Sequence, residues 1–88
     1  MLRISNVGSE EKVIRLRLDG TLSGPWVEEL RHMCEESLAQ GRPLVVDCGG
    51  LFFADAEGAA LMRSLCDRDV ALVNCSPFLK LQLTEAAV

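Results

Sequence analysis

The sequence predicts a small α/β domain: a roughly four-stranded, mixed and largely parallel sheet with helices packed on it, in the order β-β-α-β-α-β-α. Three observations carry this. One early stretch alternates apolar and charged residues with period two. Two later stretches repeat apolar residues every three or four positions, and two short runs are aliphatic almost without interruption. The 88 residues are read as one domain, 1–88. A domain of that size buries roughly 60% of its unfolded surface.

The first strand spans Leu2 to Val7 and runs into the polar turn Gly8-Ser9-Glu10-Glu11. In Val13 to Leu18, Ile14, Leu16 and Leu18 alternate with Arg15 and Arg17, a strand with one wet face that Asp19-Gly20 should break. From Pro25 the period changes. Trp26, Val27, Leu30, Met33, Cys34 and Leu38 fall on one side of a helix, with acids opposite. Ser23-Gly24-Pro25 supplies capping and first-turn chemistry, and Gly41 the stop. Leu44-Val45-Val46-Asp47-Cys48 reads as a strand apolar on both faces, as in a sheet covered on both sides. Gly49-Gly50 and Leu51-Phe52-Phe53 lead to Asp55, a good N-cap for a helix over Ala56 to Asp67 that buries Ala59, Leu61, Met62, Leu65 and Cys66. Val70 to Asn74 is the last strand. Ser76-Pro77 then starts a short helix through Leu79, Leu81 and Leu83.

Composition narrows the function. A net charge of −4 removes the usual driving force for nucleic acid or anionic membrane, and the absence of tyrosine argues against a base-stacking surface. The apolar runs are too short to span a bilayer, and the N-terminus lacks the apolar core of an export signal, so a cytoplasmic protein is expected. Cys34, Cys48, Cys66 and Cys75 show no paired spacing and read as buried reduced thiols. With His32 the only histidine, neither a metal site nor a cofactor is expected. His32 reads as a solvated partner of Glu28, and Trp26 as a core anchor.

Four segments carry a resemblance. Leu18-Asp19-Gly20-Thr21-Leu22, Leu44-Val45-Val46-Asp47-Cys48, Phe53-Ala54-Asp55-Ala56-Glu57-Gly58 and Leu72-Val73-Asn74-Cys75-Ser76-Pro77 resemble, in order and interval, the motifs of STAS domains. The resemblance implies a non-catalytic protein-interaction module in bacterial signalling, of the anti-sigma-factor-antagonist type involved in transcription regulation. Such modules bind a serine/threonine kinase-like anti-sigma factor or scaffold and are switched off by phosphorylation of the residue after the box aspartate. Here that position is Ala56, which has no hydroxyl. Ser23 likewise stands where such members often carry aspartate. The implied contact surface is Ser23, Ala54, Asp55, Ala56, Glu57, Gly58 and Met62, with the switch absent. A homodimer is compatible with the same frame.

Each of these residues also has a plainer reading. Asp55 is an ordinary N-cap, and Glu57 a first-turn acid complementing the helix dipole. Two alternative functions remain open. One is a cytoplasmic STAS subunit of an ABC-type lipid transporter, bound to its ATPase. The other is a thiol redox switch at Cys75, which precedes a helix start.

Overall fold

The structure, a computed structural model, describes residues 1–7 and 13–85; the turn expected at 8–11 lies outside them. The elements follow the predicted order: β1 (Leu2–Asn6), β2 (Ile14–Leu22), α1 (Pro25–Ala39), β3 (Leu44–Ala54), α2 (Ala56–Asp67), β4 (Ala71–Val73) and α3 (Pro77–Glu85). They form one four-stranded sheet ordered β1-β2-β3-β4. β1 is antiparallel to β2, while β2, β3 and β4 run parallel, as required when a helix connects each successive pair.

The alternation in β2 does what the sequence suggests. Ile14, Leu16 and Leu18 are buried, while Arg15 and Arg17 point the other way. β3 buries Leu44, Val46 and Cys48 and leaves Val45 and Asp47 partly exposed. That corrects one expectation: among the described residues the helices cover one face of the sheet, so β3 is not buried on both sides. Val27, Leu30 and Cys34 of α1, Leu61, Met62 and Leu65 of α2, and Leu79 of α3 close a single core against the covered face. Trp26 packs at its edge, half-buried.

Both central strands outrun their predicted ends. β2 continues through Asp19-Gly20, because Gly20 pairs with Leu2 on one side and Leu51 on the other. β3 continues through Gly49-Gly50 to Ala54. It sets eleven residues against nine of β2, with register shifts between Arg17 and Asp19 and between Gly20 and Thr21. The two extra residues are β-bulges in β3. They keep Leu51 and Ala54 in the core and leave Phe52 and Phe53 exposed.

Two side-chain expectations also fail. Cys66 sits on the helix but is exposed, and Cys75 is only half-buried, so only Cys34 and Cys48 are buried thiols. Leu81 is exposed because leucines two apart cannot share a helix face; Leu79 is buried and Leu83, four residues on, packs against the core. On the exposed side of α1, Glu28 pairs with Arg31 rather than with His32, and Glu35 with Arg68 at the end of α2.

The open face of the sheet is polar. Asp47 accepts hydrogen bonds from the Asn74 amide at 3.0 Å and the Gly49 N–H at 2.8 Å, with the Arg17 guanidinium 3.6 Å away. These donors, Asn74 first, hold its carboxyl below the ordinary value of 3.8. Because the folded value is depressed, the resulting stability is present above the ordinary value and disappears as pH falls through the folded one. Asn74 has φ 58°, so Asn74→Gly removes the amide and keeps the left-handed backbone. In that variant the Asp47 titration followed by NMR should shift upward toward 3.8, and the excess acid destabilisation of the parent should shrink; an unchanged midpoint would refute the assignment.

Candidate functional site

The parallel strands β2 and β3 end side by side, and each turns directly into a helix. A helix start leaves backbone N–H groups unpaired, so two such starts together present a cluster of donors. Asp55, the N-cap of α2, answers both. Its Oδ1 accepts the Gly58 N–H at 2.7 Å, and its Oδ2 accepts the Gly24 N–H, the N-cap of α1, at 3.1 Å. Its own N–H donates to the Leu22 carbonyl at 3.0 Å. The expected cap from Ser23 does not form: Gly24 takes the cap position, no side chain of α1 caps that helix, and the partner comes from 31 residues away.

Two glycines permit this closeness. Gly24 has φ 57° and ψ −133°, a conformation essentially reserved for glycine, and it aims its N–H at the carboxylate. At Gly58 a Cβ would lie 2.8 Å from the Leu22 carbonyl oxygen and 2.9 Å from Leu22 Cγ, so α2 can approach the end of β2 only without a side chain there. On the other side, the Gln82 amide of α3 donates to the Ala54 carbonyl at 2.9 Å and so pairs the end of β3 that β4 does not reach.

The residues predicted as a contact surface divide into two groups. Ala56 and Glu57 are exposed, and Ser23 and Asp55 half-exposed, around the shared helix starts. Ala54, at 1% exposure, Met62, at 0%, and Gly58 face the core and cannot touch a partner. Their spacing on the sequence is right, but each falls on the inward side of its element. Two exposed neighbours were not singled out from sequence as part of this surface: Phe52 at 77% and Phe53 at 42%. The sequence signal for them was the Gly49-Gly50 pair, a bulge mark that shifts strand parity.

Among the described residues no group of three or more His, Cys, Asp or Glu side chains is placed to hold a metal ion, and no helix is long and apolar enough to cross a membrane. At the helix starts the arrangement offers an exposed surface with a small side chain at Ala56 and one acid at Glu57.

Asp55→Ala should lower stability by about 1.5–3 kcal/mol, the sum of a cap and a second hydrogen bond, and Asp55→Asn by about half, since its amide cannot accept from both N–H groups. Gly58→Ala should lose more than about 1 kcal/mol despite alanine's better helix propensity. Urea unfolding of the three variants checks the order; a stabilised Gly58→Ala would show that the Leu22 contact yields freely.

No protein-family model matches this chain, and no curated protein matches it. Among solved structures it is similar to that of the anti-sigma factor antagonist SpoIIAA in its unphosphorylated form, with a TM-score of 0.71 and 23% identity over 93% of this chain and 82% of that one. The mixed four-stranded sheet with three helices packed on it is thus a STAS-like fold, that of SpoIIAA.

Proposed function

We propose that the chain is a non-catalytic protein-interaction module of the anti-sigma-factor-antagonist kind, acting in the bacterial cytoplasm and docking through the shared helix starts. Its partner is a serine/threonine kinase-like anti-sigma factor or a scaffold built on one. The observation that carries this reading is Ala56: an exposed methyl on a helix start otherwise fully assembled around Asp55. The likeness to an anti-sigma factor antagonist supports the partner class. That neighbour is described in its unphosphorylated form, which matches the state in which Ala56 holds this chain.

The contact residues are Ser23, Ala56 and Glu57, with Asp55 as their frame. Phe52 and Phe53, exposed in β3 four and three residues before Ala56, add the residue type that most often anchors a protein interface. A phosphoryl group at this position would gain from the helix dipole while adding nearly two negative charges to the surface a partner must meet. Without a hydroxyl the surface keeps one charge state.

Two variants test this against a purified anti-sigma-factor kinase by calorimetry. Ala56→Glu places a carboxylate in the first turn, where it favours the helix, so any loss is a loss of docking. Affinity should fall about tenfold or more, about 1.4 kcal/mol; unchanged affinity moves the interface elsewhere. Ala56→Ser, incubated with the same kinase and ATP, should gain the mass of one phosphoryl group. No gain with a kinase that binds the parent chain would show that the partner uses this surface without acting on it.

A further inference from the structure

The end of β3 that β4 does not reach is flanked by α3, and two contacts fix the arrangement. The Asn74 amide donates to Asp47 Oδ1 at 3.0 Å where β4 ends, and the Gln82 amide donates to the Ala54 carbonyl at 2.9 Å. The segment from Asn74 to Gln82 therefore runs alongside β3 from Asp47 to Ala54. Between those two ties four large apolar side chains are exposed: Phe52 at 77%, Phe53 at 42%, Phe78 at 54% and Leu81 at 55%. At 100° per residue, Phe78 follows Gln82 about 40° further round α3 and Leu81 about 100°, on the side away from Leu79 and Leu83 in the core. α3 is thus apolar on two sides, and a helix apolar all round is normally covered.

We propose that a second copy of this chain covers this face, with Phe52, Phe53, Phe78 and Leu81 of one copy packed on the same four residues of the other in a two-fold symmetric dimer. The patch has no charged member, so it cannot select an acidic or basic partner by complementary charge. An isologous contact needs only a surface that fits itself. Lys80 falls about 160° from Phe78 around α3. The exposed acids Glu28, Glu29, Glu35 and Glu36 lie on α1, which packs on β2 and β3, while α2 packs against both α1 and α3. Two copies meeting at the patch therefore keep the acids behind their net charge of −4 apart.

The area fits a dimer that exchanges with its monomer. At about 200 Å² per phenylalanine, the three rings leave on the order of 350 Å² in water on each copy. With Leu81 and a rim, two copies reach the ~1,000 Å² at which specific contacts begin. Phe52 and Phe53 also belong to the proposed docking surface, so on that reading the dimer withholds them from a partner. The dimer itself does not depend on it.

Sedimentation equilibrium of the reduced full chain from about 10 µM to about 1 mM tests this. The weight-average mass should rise from monomer toward dimer, and should not fall back in about 1 M sodium chloride, since no charge pair holds the contact. The double variant Phe78→Ser, Leu81→Ser loses two side chains that are more than half exposed, so its fold should persist while association weakens about tenfold or more. Glu29→Lys on α1 should leave association unchanged. In the parent chain, amide NMR shifts that move with concentration should cluster at Phe52, Phe53, Phe78 and Leu81, a readout that needs no variant. A parent chain monomeric throughout, a mass that falls in salt, or moving shifts centred on α1 or β1 overturns the proposal. None of these outcomes decides whether Ala56→Glu weakens kinase docking, so the two readings fail separately.

Discussion

A helix that begins inside a folded domain leaves N–H groups that water cannot always serve, and here two helices begin within a few ångströms of each other. One carboxylate, Asp55, satisfies donors from both. Everything around the site follows from that sharing. The loop after β2 must bring Gly24 in with its N–H toward α2, which needs a glycine backbone. α2 must sit against the Leu22 carbonyl, which needs Gly58 to be bare. Ala56 and Glu57 are then held outward, one and two residues beyond the carboxylate that fixes them. Asp55 thus works as a frame for its neighbours, and both of its oxygens are engaged within the chain.

The helix starts were legible in the sequence because their chemistry is local. Asp55 before Ala56 and Ser76 before Pro77 each place an acceptor within three residues of the donor it meets, and both caps form. What was not legible depends on residues far apart in the chain. Gly24 finds Asp55 across 31 positions, which no reading of Ser23-Gly24-Pro25 reveals. Asp19-Gly20 is a turn signal by composition, yet strands on both sides pair Gly20 into the sheet. The inward burial of Ala54 depends on the same long-range pairing, which sets the phase of β3 against the core, whereas that of Met62 was legible in the helical spacing of Ala59, Met62 and Leu65. Short local rules found the elements, and tertiary pairing decided which side each strand residue shows.

α2 joins two chemically different ends. Its first turn, beside β2 and the loop into α1, carries the small and acidic residues of the proposed docking surface. Its last turn, beside β4 and α3, carries the exposed Cys66 and then Arg68, which reaches Glu35 of α1. Between them Leu61, Met62 and Leu65 bury one face in the core. Twelve residues of helix are thus held at both ends by other elements and buried along one face between them.

The extra pair of residues in β3 has a consequence for how this segment can vary over time. From Cys48 onward, inward positions come three residues apart, Cys48 to Leu51 to Ala54, where a plain strand would give two. Losing one residue between Cys48 and Leu51, or between Leu51 and Ala54, would remove a bulge and restore the plain spacing of two, so the inward side chains would stay inward while the end of β3, with Asp55 after it, drew back by one residue against β2. Exchanging one side chain there for another of similar bulk would leave that end in place. Evolution should therefore tolerate spelling changes in this stretch far more readily than changes in its length.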